Sequence, residues 1–232
     1  MLQQTQTGRV AKKFLSFIEK FPNFNTLSEA PLEEVLNKWQ GLGYNRRAIA
    51  LKKIAEIIIK NYNGKLPDSV EVLKKLPQIG HNTASSIVSF AFNKPTIFIE
   101  TNIRRVYIYF FFPGKNKITD KEIIPILEKT LDKDNPRKWY YALMDYGVML
   151  KKDYPDLSKR GAHYRKQPPF KGSNRQIRGE ILGILIKNNT LKISELEERL
   201  KEVNNKKLMT ILNQLEKEGF IETKKDDIQI AK

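Results

Sequence analysis

The chain has 232 residues, 40% of them hydrophobic, which is enough for one good core or for a main core and a smaller one, and too apolar for a disordered polymer. Its formal net charge is +16 and its pI is near 9.8; this favours a polyanionic partner through counterion release, with general solubility as the plainer alternative. With no Cys, disulfides, thiolate-bound zinc and Cys-ligated iron–sulfur clusters are excluded, and two isolated histidines, His81 and His163, argue against a His-based metal site, so no metal or cofactor is expected.

No apolar run approaches the roughly 20 residues that span a bilayer. The amino-terminal stretch is polar and glutamine-rich, unlike a signal peptide. These features lead us to expect a soluble intracellular protein, cytoplasmic or nucleoid-associated, with no membrane partner and, by default, monomeric.

In chain order, Val10–Phe21 carries apolar residues at Val10, Phe14, Leu15, Phe17, Ile18 and Phe21, a helical period closed by Pro22-Asn23. Pro31 opens a second amphipathic helix through Trp39. Gly41-Leu42-Gly43-Tyr44 breaks it, and a third helix covers Arg46–Tyr62 before the Asn63-Gly64 turn. A short helix at Ser69–Lys75, a tight loop at Pro77–His81 and a helix from Thr83 to Phe92 follow. Asn102–Phe112, Asp120–Leu131 and Pro136–Leu150 complete a run of helices.

Beyond the basic, proline-containing stretch Lys151–Gly172 the pattern changes. Helices are expected at Ser173–Lys187, Ile193–Lys201 and Lys206–Glu218, then a hairpin of Gly219–Thr223 and Asp227–Ile230 around Lys224–Asp226. Three short helices ending in a two-stranded ribbon suggest a winged-helix-like module. The expected organisation is a mainly α fold: a helical domain over 1–150, a basic linker over 151–172 and a small α+β module over 173–232.

Charge is uneven. Residues 173–232 hold 12 Lys+Arg against 10 Asp+Glu, a net of +2, which leaves +14 for residues 1–172. A phosphate-binding surface therefore belongs mainly to the first part, and the module's near-neutral balance suits a packing or protein-binding role equally well.

The segment Leu76-Pro77-Gln78-Ile79-Gly80-His81-Asn82-Thr83-Ala84 lies between two helices. A tight hairpin here aims the N–H groups at the start of the following helix toward one point, where N–H donors and the helix dipole would bind a phosphate. Gly80 is expected to use its freedom at positive φ and to let a phosphate approach. An ordinary helical connection is the alternative.

This segment resembles the helix-hairpin-helix of the DNA glycosylase superfamily that includes endonuclease III and the adenine glycosylases. Phe98-Ile99-Glu100-Thr101-Asn102-Ile103-Arg104-Arg105-Val106 is similar to the segment holding that superfamily's catalytic carboxylate, usually Asp. Met1-Leu2-Gln3-Gln4-Thr5-Gln6 and Gly41-Leu42-Gly43-Tyr44 resemble two segments of the adenine glycosylases (the MutY family), and Met144-Asp145-Tyr146-Gly147 the helix before its cluster cysteines. Five motifs in order cover about residues 1–150.

The resemblance implies a monofunctional glycosylase of base excision repair, acting on double-stranded DNA and removing adenine mispaired with guanine or 8-oxoguanine. Gln3 or Gln4 and Tyr44 match a wedge that fills the gap left by a flipped base, Tyr44 being otherwise a core aromatic. Arg46, Gln78, Gly80, His81, Asn82 and Thr83 are the other expected DNA contacts. Glu100 matches the carboxylate that stabilises a cationic sugar, or is a plain helix amino-terminal charge, and Asn102 matches a position near the sugar. Asn82 stands where lyase-active relatives place a nucleophilic Lys; an amide forms no Schiff base, so strand cleavage is not expected.

Three departures qualify the match. The family's general acid, a Glu two residues before the Met-Leu-Gln-Gln-Thr segment, falls ahead of Met1, which leaves two readings: a chain starting short of that Glu, or a protein that binds distorted duplex without cleaving it. Lys151 stands where relatives place the first cluster cysteine; the loop after it is expected to reach the DNA backbone, with Tyr154, His163 and Tyr164 packed beneath or within a local core. The carboxy-terminal module does not resemble the β-rich domain by which adenine glycosylases often recognise 8-oxoguanine.

Overall fold

The computed structural model describes residues 1–231. Its helices in chain order are α1 (Thr7–Lys20), α2 (Phe24–Glu29), α3 (Leu32–Trp39), α4 (Arg46–Tyr62), α5 (Val70–Leu73), α6 (His81–Phe92), α7 (Thr101–Phe111), α8 (Asp120–Thr130) and α9 (Pro136–Asp153). A 3-10 turn at Leu157–Arg160 leads to α10 (Asn174–Asn188), β1 (Thr190–Lys192), α11 (Ile193–Arg199), α12 (Asn205–Lys217), β2 (Ile221–Lys224) and β3 (Asp227–Ile230).

The described residues pack as two compact units, residues 1–66 with those from 168 onward, and residues 67–167. These cut across the segments expected from sequence. The reason is visible in the first unit's core, where Val35, Leu36 and Trp39 of α3 and Ala48 of α4 join one buried cluster with Ile181 and Leu185 of α10 and Leu208 and Ile211 of α12. The carboxy-terminal segment thus shares its apolar face with the first four helices instead of closing a core of its own.

Within this unit, α1 buries Val10 and Phe17, but Phe14, Leu15 and Ile18 stay exposed, so only part of its apolar face serves the core. Asn23 caps α2, a one-and-a-half-turn helix the sequence pattern did not reveal, through a capping box with Thr26. Pro31 sits at the cap of α3 and not in its first turn. The sheet has three strands in the order β1-β3-β2, all antiparallel, with Leu191 opposite Ile228 and Ile221 opposite Ile230. The β2–β3 hairpin is the expected one; β1 is too short at three residues to show an alternation.

The second unit is helical. Ile103, Tyr107 and Ile108 of α7 pack with Ile123 and Leu127 of α8 and Tyr140 and Leu143 of α9. The Tyr140 hydroxyl, deep in this core, donates to the carbonyl of Thr96 at 2.7 Å, so the one polar atom of a large buried ring is satisfied.

Candidate functional site

In the first unit the structure joins the two amino-terminal motifs through a residue that sequence reading passed over, Arg47. Its guanidinium donates to the carbonyls of Met1 (2.9 Å), Gln3 and Gly43 (3.0 Å) and to Thr5 Oγ1 (3.0 Å). Thr5 Oγ1 in turn donates to the Leu42 carbonyl at 3.0 Å, and Trp39 Nε1 to that of Gly43 at 3.1 Å. The planar five-donor fork of Arg is what a set of divergent carbonyls requires. Burial pushes the Arg47 pKa down, and the neighbouring Tyr44 opposes that shift.

Held this way, the Gly-Leu-Gly-Tyr loop buries Leu42 and presents Tyr44, 41% exposed with φ of 50°. The ring lies 5.6 Å from the Arg47 guanidinium centre, whose other aromatic neighbour is Trp39 at 5.3 Å. Gly41 and Gly43 also take positive φ. Three left-handed residues in four make a sharp protrusion, with Leu42 as its only anchor in the core. Gln3 and Gln4 are exposed on the segment fastened by the same guanidinium.

Arg46, expected as a DNA contact, is an exposed side chain engaged in an ion pair. Its Nε and a terminal nitrogen grip the Glu218 carboxylate at 2.8 and 2.5 Å, and Arg178 grips the same carboxylate at 3.2 Å and 2.5 Å. Arg46 holds the Glu218 carboxyl below its ordinary value, against the opposing effect of burial, with Arg178 adding to the shift.

In the second unit, α5, the turn after it and α6 form the hairpin. The positive φ belongs to Gln78 (56°), and Gly80 is extended at −86°, so the expectation for Gly80 is corrected. Its lack of a side chain matters otherwise: a Cβ built on Gly80 would meet no atom within 4 Å, so that flank of the turn is open. Helix α6 begins at His81, two residues before the expected Thr83, and the Gly80 carbonyl takes the Ala84 N–H at 2.9 Å. The N–H groups of Gly80, His81 and Asn82 have no acceptor among the described residues and lie at the positive end of the helix dipole.

The side chains of His81 and Asn82 turn the other way. His81 Nε2 lies 3.0 Å from the Ile97 carbonyl, and Asn82 Nδ2 donates to that of Ile99 at 2.9 Å. They tie the hairpin to the extended segment leading into Glu100, leaving the backbone as the outward surface. Gln78 and Thr83 occupy the turn and first helical turn themselves.

Glu100 caps α7: its Oε1 accepts the N–H groups of Asn102 at 2.6 Å and Ile103 at 3.0 Å. Its other oxygen has no partner among the described residues, and the side chain is half-buried. A cap and a charge presented from it are therefore compatible. Asn102 Oδ1 accepts from Arg105 at 2.7 Å; Arg105, 4% exposed, also donates to the Gly147 carbonyl at 2.5 Å and to Ser158 Oγ at 2.9 Å. Burial lowers the Arg105 pKa, opposed by the Glu100 charge. Arg105 and Ser158 were not foreseen, since a buried arginine looks in sequence like any other in a basic chain.

The segment following Leu150 offers no thiolate, as the chain has no Cys, so its donors do not fit an iron–sulfur cluster. Protein contacts fasten it instead. Ile118 and Gly161 form a bridge, with the Ile118 N–H on the Arg160 carbonyl at 3.0 Å and the Ala162 N–H on the Ile118 carbonyl at 2.8 Å. Arg160 donates to the carbonyls of Lys115, at 2.8 Å, and Phe112. Leu157 is buried, whereas Tyr154, His163 and Tyr164 are exposed, so those three do not form the local core considered above.

Residues 1–133 match the family model described as HhH-GPD superfamily base excision DNA repair protein. The chain belongs to that superfamily. Adenine DNA glycosylase of Buchnera aphidicola (subspecies Baizongia pistaciae) is 40% identical over 154 residues, covering 65% of this chain and 43% of that protein. Adenine DNA glycosylase of Mycobacterium tuberculosis (strain CDC 1551) is 26% identical over 204 residues, covering 80% and 67%. A solved thermostable thymine-DNA glycosylase is similar with TM-score 0.57 and 25% identity, over 70% of this chain and 79% of that one. A trapped endonuclease III–DNA covalent intermediate shares the fold at TM-score 0.54 and 24% identity, over 73% of each chain.

The chain thus spans under half the length of the Buchnera relative. In this HhH-GPD chain the helix-hairpin-helix is α5, the Gln78 turn and α6, and the Glu100 segment follows within the same compact unit. The family match ends inside the turn before α9, so it does not cover the carboxy-terminal module.

Proposed function

We propose that this protein is a monofunctional DNA glycosylase that hydrolyses the bond between adenine and its sugar where adenine is mispaired with guanine or 8-oxoguanine. The observation that carries the reading is the Arg47 node, which binds the Gln-Gln-Thr and Gly-Leu-Gly-Tyr motifs into one protruding element. Those two motifs separate the adenine glycosylases from endonuclease III-like enzymes. The relatives named adenine DNA glycosylase support the same assignment.

On this reading the unpaired N–H groups at the start of α6 take a DNA phosphate and fix the register of the duplex. Tyr44, with Gln3 or Gln4, enters the stack and offsets part of the cost of unstacking. Glu100, held by two backbone N–H groups, directs its remaining oxygen at the cationic sugar and orients water, and Asn102, locked by Arg105, stands beside it. Asn82 cannot form a Schiff base, and its amide is engaged with Ile99, so no strand cleavage follows base release. No cofactor takes part, and the protein works as a soluble monomer on DNA.

The test is single-turnover release of adenine from an 8-oxoguanine·adenine duplex, by this chain and by one extended to carry a Glu two residues ahead of Met1. Release that depends on the added Glu assigns it as the acid that protonates the purine. No release by either form, with mispair binding retained, overturns catalysis in favour of binding to distorted duplex.

A further inference from the structure

The family match and the proposed chemistry leave the surface of α12 unused. Leu208, Ile211, Leu212 and Leu215 are buried, so one face of the helix is fixed against the core. At 100° per residue the opposite meridian is occupied by Lys206, Thr210, Asn213 and Lys217, all exposed, with Gln214 and Lys207 on one flank and Met209, 38% exposed, on the other.

The module's near-neutral total conceals a separation of charge. Of its ten acidic residues, Glu195, Glu197, Glu198 and Glu202 belong to α11 and the turn after it. Within α12 only Glu216 is acidic; it lies at the edge of the stripe, and its Oε1 accepts the Thr223 N–H at 2.9 Å. Lys206 and Lys217 form no ion pair within the chain among the described residues. Lys207 Nζ reaches the Gly172 carbonyl at 3.2 Å, which sets the start of α12 beside the basic stretch that includes Lys171 and Arg175.

The spacing along the stripe suits a duplex. Lys206 and Lys217 are eleven residues apart, about 16 Å along the axis, which places two ammonium groups on the two sides of a major groove about 12 Å wide. Between them stand a hydroxyl and an amide, side chains that pair with base edges, while the exposed Met offers an apolar contact of the kind a thymine methyl accepts. A helix presented after a short turn from the preceding helix is the arrangement by which helix-turn-helix proteins enter that groove.

We propose that the outward stripe of α12 is a second duplex-binding surface, in which Lys206 and Lys217 hold phosphates and Thr210 and Asn213 face the bases. It belongs to the other compact unit from the α6 hairpin and adds phosphate contacts on undamaged DNA. Two cations with a single carboxylate at the stripe's edge, Glu216, which is engaged by the Thr223 N–H, favour a polyanion, and the alternation of cationic ends with a neutral hydrogen-bonding middle favours DNA over an acidic peptide.

The experiment uses the full chain and an undamaged 30-base-pair duplex, with affinity measured across a salt series. Lys206→Ala/Lys217→Ala should reduce the slope of log affinity against log salt by about 1.8, from two lost phosphate contacts. Lys206→Arg/Lys217→Arg should keep it, and Asn213→Ala should change the relative affinity for duplexes of different sequence. Single-turnover base release at saturating protein should be the same in all of them, so this outcome is independent of the glycosylase reading. An unchanged slope in the Ala pair overturns the proposal, as does equal loss in the Arg pair, which would trace the effect to packing. Weakened binding to polyglutamate with duplex binding intact would overturn it in favour of a protein partner.

Discussion

Gly147 of α9 lies so close to Asn102 of α7 that a Cβ on it would stand 2.5 Å from the Asn102 carbonyl oxygen and 2.7 Å from the Asn102 Cβ. The obstacle is largely backbone, so it cannot turn aside. The Gly147 carbonyl also takes the Arg105 guanidinium that orients the Asn102 amide. Gly147→Ala should therefore lower stability by about 1–3 kcal/mol and reduce base release together. Gly179→Ala, in the interior of α10 where a Cβ meets nothing within 4 Å, should instead gain about 0.5–1 kcal/mol. Thermal melting of the two variants side by side checks the contrast; equal effects would mean that the close approach of α7 and α9 is not what requires glycine.

Arg47 should tolerate no replacement, including lysine. An ammonium retains the charge but reaches fewer of the carbonyls of Met1, Gln3 and Gly43 at once. Arg47→Lys is expected to cost about 1–3 kcal/mol, from charged hydrogen bonds lost, those to Met1 and Thr5 being part-buried. It should also abolish preference for a mispair over a matched duplex while leaving affinity for the matched duplex unchanged. Competition binding with the two duplexes reads this directly, and a uniform loss on both would make Arg47 a stability residue only.

At Tyr44 the order of the usual small substitutions should reverse. The residue sits at φ 50°, where any Cβ is strained and glycine is not. Tyr44→Gly should be more stable than Tyr44→Ala by about 0.4–1 kcal/mol, and the two should lose mispair discrimination equally. Chemical denaturation ranks their stabilities. Ala above Gly would show that the loop does not hold its left-handed turn.

The helices were legible because their apolar residues recur at helical spacing, and most of their boundaries shift by only a few residues. Legibility failed where the deciding term was not periodic. Gln78, not Gly80, carries the positive φ, since a tight turn needs one left-handed residue and composition alone favours glycine for it. Helix α2 depends on the Asn23–Thr26 box rather than on an apolar face. Arg47 and Arg105 could not be told from the other cations, because what distinguishes them is the set of carbonyls and side chains brought around them from distant parts of the chain. The pairing of Arg46 and Arg178 with Glu218 is of the same kind: partners 172 and 40 residues apart leave no local trace.

The pH dependence of stability should show the capping box of α8. The Lys115 ammonium, the Thr119 N–H and the Thr119 hydroxyl hold the Glu122 carboxyl at about 2, against an ordinary value of 4.5. A depressed folded-state pKa contributes stability that is present above 4.5 and lost as pH falls toward 2. Glu122→Gln should thus melt below the parent at neutral pH, with the difference shrinking through that window. A difference that stays constant down to pH 2 would assign the effect to lost packing.

Glu100 caps α7 and, in the proposed function, also faces the sugar cation, and one pair of substitutions can separate the two roles. As the cap of α7 it needs only an acceptor oxygen, which an amide supplies at the same reach to Asn102 and Ile103. As the group facing a cationic sugar it needs the charge. Glu100→Gln should therefore fold, losing about 0.3–1 kcal/mol of charge–dipole energy, and bind the mispaired duplex as the parent does. Its base release should fall by about a hundredfold or more, the scale on which a placed electrostatic partner of a transition state acts. Glu100→Asp keeps the charge and a good cap and restores the carboxylate usual in the superfamily, so release should survive in that variant. Single-turnover release with all three forms at saturating protein decides the matter: full activity in the Gln variant would reduce Glu100 to a cap and leave the sugar cation without an assigned counter-charge on this chain.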